Sequence, residues 1–463
     1  MTTRPLTARS LTFAALAAGL ILSAAPAVAQ TSAPQPTPTP THRALAAGYK
    51  ALTMCSAVFT AAEAGASRTP ESVESHELVG IYPELQPLIG DMKAEIGDGE
   101  VSVAWDEAMP ARVAQFTPGQ GCVIQPVGFV GGMRQMTRVA RRATAPDLPT
   151  GRPSGDAVRL ASVVELAFGG DFGTGAVTTG VVVLQDGRRV AERYAEGFGP
   201  DTPQRTWSVA KSLAGTVIGA AAHRGEVDPD APADIANWRV PGDPRAAITV
   251  DALMRMASGL TSDTAGNRTD ALYFGGTTVD EQAPAWPVIA APMTRYRYAN
   301  NDTLLAVLAI APTFAAHPPH ELFDRLGMTR TYAETDWRGN YILSSQVWTT
   351  ARDLARFGQL YVQDGVWEGQ RILPEGWRAR VTAPSGPQPP TGAFGYGATF
   401  WLMNRSEGVP ADTFAAFGNR GQYVVIVPGR NVVIVRRGED PAGKGFDIAA
   451  FTRDVLAALD APN

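Results

Sequence analysis

The stretch Arg205–Gly215, "RTWSVAKSLAG", sets a serine and a lysine one helical turn apart among Ala, Val, Trp and Leu. Continued to Gly225 as "WSVAKSLAGTVIGAAAHRG", it keeps helix-forming composition, so Ser208 begins a helix and Lys211, at i+3, shares its face. A serine in that place is first of all an N-cap, worth about 1 kcal/mol. Ser-x-x-Lys also arises by chance about once in a chain of this size. The pair gains meaning only from what accompanies it.

The chain has 463 residues, 45% hydrophobic and 18% charged, with Lys+Arg 40 against Asp+Glu 45. Such a chain builds one large core or two domains. Its formal charge of -5 provides no general attraction to nucleic acid or anionic lipid, and neither is expected as a partner. No phosphate-binding glycine loop with a lysine, zinc-spaced Cys/His set or EF-hand occurs, so no cofactor or metal is expected. "AFGGDFGTGA" lacks dinucleotide-loop spacing, and Glu334 with Asp336 reads as solvated surface rather than a glycosidase dyad.

Residues 1–29 combine two early arginines, an apolar run from Leu11 to about Ala25, and Ala27-Val28-Ala29 before Gln30. This reads as a cleaved secretory signal, with a periplasmic or secreted destination and no stable membrane insertion. Residues 30–43, including "TSAPQPTPTPTH", read as a Pro/Thr-rich linker. Residues 44–150 form an N-terminal extension without an assigned role. Its segment "RALAAGYKALTMCSAVFTAAEAG" is helical in period, and "VSVAW" at Val101–Trp105 is strand-like. The extension holds both cysteines, Cys55 and Cys122, and an oxidising destination makes one disulfide between them the default expectation.

Residues 151–463 make the main domain. "GAVTTGVVVLQDGRRVAERYAEGF" is a hairpin turning at Asp186-Gly187, and "GQYVVIVPGRNVVIVRRG" is two β-branched runs joined by Pro428-Gly429-Arg430. "GFDIAAFTRDVLAALD" closes the chain as a helix. Strands near both ends with a helical middle predict an α/β (α+β) fold: an antiparallel sheet flanked by helices, plus a mostly helical lobe.

A neutral hydroxyl is a poor nucleophile until something takes its proton. The five histidines are His42, His76, His223, His317 and His320, none beside the serine, and no Gly-x-Ser-x-Gly frames a relevant serine. Lys211 is the available base. Partial burial and a second positive group would lower its pKa, leaving it neutral or proton-sharing and hydrogen-bonded to Ser208 Oγ.

Two further segments accompany the pair. "RYRYANNDTLL" contains Tyr298-Ala299-Asn300, and "FGNRGQYVVIV" contains Asn419-Arg420-Gly421-Gln422 directly before a strand. In this order the three resemble the signature motifs of the penicillin-recognising serine hydrolases, the superfamily of class C β-lactamases, D,D-peptidases, secreted esterases and nylon-oligomer hydrolases. "ITVDALMRMASGLTSD", "LFDRLGMTRTYAETDWRGN", the segment Ser344–Trp377 and "FGYGATFWL" resemble the branch nearest the 6-aminohexanoate-oligomer hydrolases. The resemblance covers about Ala157 to the C-terminus.

The resemblance implies a β-lactamase/D,D-peptidase-like fold. It makes Tyr298 a second proton-transfer group and Asn300 the amide that holds the lysine and the substrate side of the site. The family geometry also implies an oxyanion pair from the Ser208 and Gln422 amides, with Gly421 letting substrate approach. Where many relatives have Lys-Thr-Gly, this chain has Asn419-Arg420-Gly421. Arg420 either takes a substrate carboxylate bidentately or, as the middle residue of an alternating strand, points away and leaves uncharged Asn419 in the pocket. Trp207 reads as core before substrate wall, since most tryptophans are buried.

The expected function is hydrolysis of a small amide, ester or short peptide or oligomer through an acyl-enzyme on Ser208. The alternatives are a β-lactamase or D,D-carboxypeptidase, and a non-catalytic binding module that retains the fold. The oligomeric state stays open.

Overall fold

Thr39 opens the first helix of the computed structural model, which describes residues 1–2, 38–131, 145–261, 269–384 and 386–461. The signal reading of residues 1–29 falls, after the first two, outside the described residues. Helix α1 (Pro40–Ala64) has Thr39 Oγ1 accepting from His42 N and proline in its first turn, so it starts inside the stretch read as linker. Proline is favoured there because its missing N–H would have no helical partner. By length and composition α1 could cross a bilayer, yet 78% of its most apolar window is buried within the protein.

Against α1 lies an antiparallel four-stranded sheet, β1 (Ala94–Ile96), β2 (Glu100–Val103), β3 (Arg112–Thr117) and β4 (Gly121–Ile124), in that order. The strand-like segment at Val101–Trp105 overlaps β2, which starts one residue earlier and ends at Val103. Cys55 on α1 and Cys122 on β4 form a disulfide, with Cα atoms 6.1 Å apart. This layer packs into the same core as the rest of the chain: Glu334, far along the sequence, accepts from Ser56 Oγ at 2.6 Å and from Cys122 N at 2.9 Å. Glu334 and Asp336 are thus buried rather than solvated. Main-chain and side-chain donors brought from other segments compensate their burial.

The main sheet is built from both ends of the remaining chain. Helix α2 (Ala157–Gly169) precedes β5 (Thr178–Gln185) and β6 (Arg188–Tyr194), which turn at Asp186 and Gly187, both at positive φ. A helical lobe follows, including α3 (Val209–His223) and α4 (Asn300–Ala309), and then α5 (Ala351–Val362). The chain returns through β7 (Gly395–Tyr396), β8 (Trp401–Leu402), β9 (Phe414–Gly418), β10 (Gln422–Val427) and β11 (Val432–Gly438), ending in α6 (Ile448–Asp460). The seven strands run in the order β7-β8-β9-β10-β11-β5-β6, every neighbouring pair antiparallel.

The central strands are apolar at nearly every position because both faces are covered. Val181 and Val183 of β5 face the cluster holding α2 and α6, whereas Val182 and Leu184 face the larger core that includes α5. Helix α3 is buried on all sides through Ala221, in that larger core. A Cβ at Gly219 would run into Trp377, so glycine lets the helix pack that closely. This packing fixes the position of the N-terminus of α3.

Candidate active site

Ser208 stands at the head of α3 with φ −70° and ψ −5°, and its hydroxyl makes no capping bond. Trp207 before it is held at φ 50°, a left-handed conformation that a bulky residue adopts only where its surroundings enforce it. Those surroundings are visible. Gln204 and Arg205 pair with Thr349 and Trp348, and Thr206 N donates to the Val347 carbonyl at 2.8 Å.

Lys211 lies one turn along α3 and is 1% exposed. Its Nζ reaches Ser208 Oγ at 3.0 Å, Asn300 Oδ1 at 2.6 Å and the Ser344 carbonyl at 2.8 Å. None of these oxygens belongs to a carboxylate, so nothing offsets the desolvation of an ammonium. Burial lowers the amine to about 7. The second positive group expected from the sequence is not among the causes; desolvation alone produces the shift.

Tyr298 and Asn300 arrive on the turn into α4. The phenol hydrogen-bonds Ser208, and its ring centroid is 5.1 Å from Lys211 Nζ. Burial pushes the phenol well above its ordinary range, so it is protonated and able to donate at neutral pH. Lys211 and Tyr298 thus converge on the Ser208 hydroxyl, with Asn300 holding Lys211, although the four residues come from two segments of the chain.

The third segment departs from expectation. Arg420 is held at φ 56°, and its guanidinium turns away from the cleft. It donates to the His76 and Val79 carbonyls at 2.7 Å each and pairs with Glu439 at 2.9 Å. It is therefore unavailable to a substrate carboxylate. A Cβ at Gly421, at φ 76°, would collide with Arg436 and Asp440, so this glycine serves packing and not substrate approach. Gln422 is fully buried; its side chain donates to the Gly438 carbonyl and accepts from Arg437 Nε at 2.6 Å.

The reason is the left-handed kink at Arg420. It ends β9 and starts β10, so Gln422 lies opposite Gly418 on the next strand, with its side chain committed to Gly438 and Arg437. The backbone that borders the serine is that of Gly418 and Asn419. A Cβ at Gly418 would strike the Thr206 carbonyl and stand 3.2 Å from Ser208 N. Of the third segment, Asn419 lines the cleft while Arg420, Gly421 and Gln422 do not.

The cleft encloses about 300 Å³. Its remaining walls are Tyr82, Trp207, Tyr273, Ser345, Trp401 and Phe417. Trp207 is both core and wall: it is 6% exposed, and the Arg205 guanidinium stacks on it at 3.8 Å from the ring centroid. Tyr273 Oη bonds Ser344 Oγ at 2.6 Å and so fixes the loop whose carbonyl meets Lys211. The segment "NYILSSQVWTT", Asn340–Thr350, is a candidate wall by sequence and contributes Ser345, whereas nothing local in the sequence marks Tyr82, Tyr273, Trp401 or Phe417 as walls. Only the glycine before Asn419, at a strand end, was a usable local signal. Among the described residues no cluster of His, Cys, Asp and Glu is arranged to hold a metal.

Comparison with known proteins identifies the family and the fold. The family model "Beta-lactamase" matches residues 170–457. A 6-aminohexanoate-dimer hydrolase of Paenarthrobacter ureafaciens is 27% identical over 314 residues, 61% of this chain and 79% of the relative. A solved Bacillus anthracis structure, provisionally named a 6-aminohexanoate-dimer hydrolase, has a TM-score of 0.54 at 22% identity, covering 68% of this chain and 87% of its own. Another, provisionally named a beta-lactamase, from Bacteroides dorei DSM 17855, has a TM-score of 0.53 at 19% identity and covers 66% and 99%. The family match spans most of the chain, and the antiparallel sheet with flanking helices and helical lobe is the fold of these structures. The chain belongs to the beta-lactamase family, a hydrolase superfamily that includes the 6-aminohexanoate-dimer hydrolases.

Proposed function

We propose that the protein is a serine hydrolase that cleaves an uncharged amide or ester bond through an acyl-enzyme on Ser208. One observation carries the reading: a buried lysine with no acidic partner, lowered to about 7, lies 3.0 Å from a serine hydroxyl that caps nothing. Near neutral pH such an amine is in part unprotonated and takes the Oγ proton as the oxygen attacks the carbonyl carbon. The amides of Ser208, at the head of a 15-residue helix, and of Asn419 receive the developing oxyanion.

Collapse of the tetrahedral intermediate breaks the scissile bond while Tyr298 protonates the departing amine or alcohol. The proton held on Lys211 then passes directly to the neighbouring phenolate, restoring the neutral amine and phenol while Ser208 Oγ stays esterified. In the second half, water attacks the acyl-serine, yields its proton to the same pair and releases a carboxylic acid. Asn300 keeps Lys211 aimed at the hydroxyl. Because Arg420 is committed elsewhere, the site favours neutral substrates over the carboxylate-bearing penicillins and peptidoglycan peptides of the alternative reading.

The domain reading is carried with it: residues 151–463 as the hydrolase domain and 44–150 as an extension, exported to an oxidising compartment where Cys55 and Cys122 pair. The test is intact-mass analysis after exposure to a fluorophosphonate and to a penicillin, with peptide mapping. A single phosphonyl adduct on Ser208, lost in Ser208→Ala, is expected. Absence of the adduct would leave a binding module, and rapid turnover of penicillin would restore the β-lactamase alternative.

A further inference from the structure

We infer that the N-terminal extension supplies part of the substrate site, with Tyr82 as a specificity-determining wall of an uncharged aromatic slot beside Ser208. This rests on the acyl-serine reading and adds the class of group the slot takes: a flat aromatic or slim aliphatic neutral group next to the scissile bond. Tyr82 lies outside the matched family region of residues 170–457, so the wall is a property of this chain.

The segment carrying Tyr82 is anchored on the hydrolase side. Arg420 holds the His76 and Val79 carbonyls, and Ala442 N donates to Gly80 O at 2.7 Å. Gln86 folds back to bond Ile81 N and the Leu78 carbonyl, both at 3.1 Å, which closes the loop beneath the ring. The half-buried Tyr82 ring meets Trp207 edge-on at 6.2 Å and Tyr49 at 6.0 Å. The residue next to the nucleophile on one side of the cleft is thus braced by an aromatic from the extension.

Trp401 and Phe417, also in the cleft wall, are stacked with centroids 5.8 Å apart, and Trp401 lies 5.4 Å from Tyr298. None of the described lining residues carries a charge. The nearby guanidinium of Arg205 is behind Trp207 and committed to Ser345, with Nη2 2.9 Å from its Oγ. Aromatic walls reward burial of a planar or apolar group, whereas a carboxylate placed there loses water and gains no cation.

The experiment is equilibrium binding to the full-length Ser208→Ala protein, read by tryptophan fluorescence or calorimetry. Three probes are compared: N-phenylbutanamide, its analogue with the terminal methyl replaced by carboxylate, and N-methylbutanamide. The neutral anilide is expected to bind about tenfold more tightly than either other probe. Adding Tyr82→Ala should raise the anilide Kd about tenfold, leave N-methylbutanamide unchanged, and leave the circular dichroism spectrum unchanged; Tyr82→Phe should retain affinity. Where Tyr82→Ala is unstable, Tyr82→Leu reads loss of the ring with its bulk kept. Equal binding of the carboxylate analogue, an unaltered anilide Kd in the folded Tyr82 variant, or no anilide binding at millimolar concentration overturns the inference. Fluorophosphonate labelling of the unmutated protein separates the two readings: a labelled Ser208 with no slot preference removes only this inference, and an unlabelled Ser208 with the preference intact removes only the acyl-serine reading.

Discussion

Arg420 and Glu439 form an ion pair at 2.9 Å with both side chains 3% exposed. Through the same guanidinium the chain ties its third sequence motif to main-chain carbonyls of the extension. Burial raises Glu439 above the usual carboxylate range while the adjacent guanidinium pulls it back, so a carboxylate this deeply buried depends on its cationic partner.

Arg420→Met leaves that carboxylate buried and unpaired. The expected loss is about 3–5 kcal/mol of stability, seen as a lower denaturant midpoint. Proteolysis should enter the segment Ala66–Met92 first, because its anchors are gone. Adding Glu439→Gln should recover part of the loss, and an Arg420→Met protein as stable as the parent would remove the assigned anchoring role.

Lys211 is lowered to about 7 by burial. The rate of Ser208 phosphonylation should therefore rise about tenfold per pH unit below 7 and level off above it, following the unprotonated amine. Lys211→Arg should be slower by at least about a hundredfold, since a guanidinium stays protonated. A flat profile from pH 5 to 9 would remove Lys211 as the base.

The Cys55–Cys122 bridge closes a loop with a sequence separation of 67 and joins α1 to β4. Replacing both cysteines with alanine is expected to cost about 4 kcal/mol in a chain-entropy account, measured by denaturant unfolding. Ser208 labelling of the folded variant should persist, because neither cysteine lines the cleft.

Glu334 and Asp302 are both raised to about 7, and Asp353 to about 6, chiefly by desolvation. Their ordinary values are 4.5 for Glu and 3.8 for Asp, so over about pH 4–7 the folded state binds more protons than the unfolded chain. Stability contributed by these groups is present at low pH and lost as pH rises through that window. Lys211 acts in the opposite direction only above about 7, where the unfolded amine still binds its proton. Thermal midpoints should fall by several degrees between pH 5 and 7, and Glu334→Gln should flatten part of that fall. An unchanged slope in Glu334→Gln would assign the pH dependence to other groups.

Some of this was legible along the chain because its causes are local. The i, i+3 spacing of Ser208 and Lys211, the Asp186-Gly187 turn, and the apolar runs of β5, β10 and β11 each express a backbone period or turn preference within a few residues. The two cysteines and an expected oxidising destination were enough to anticipate their pairing. Tyr298 and Asn300 required a family resemblance, since a tyrosine or an asparagine alone has many uses.

The tertiary structure decided what depends on direction and burial. A left-handed kink at Arg420 moved the cleft-lining backbone from Gln422 to Asn419 and sent the guanidinium into the extension. Packing, without a second cation, lowered Lys211, and it placed Tyr82 beside a serine more than a hundred residues away. Sequence determined which elements form, because hydrophobic period and turn chemistry act between near neighbours. Which side chains share the cleft was settled by folding, because burial and close approach arise only when distant segments exclude water from one another.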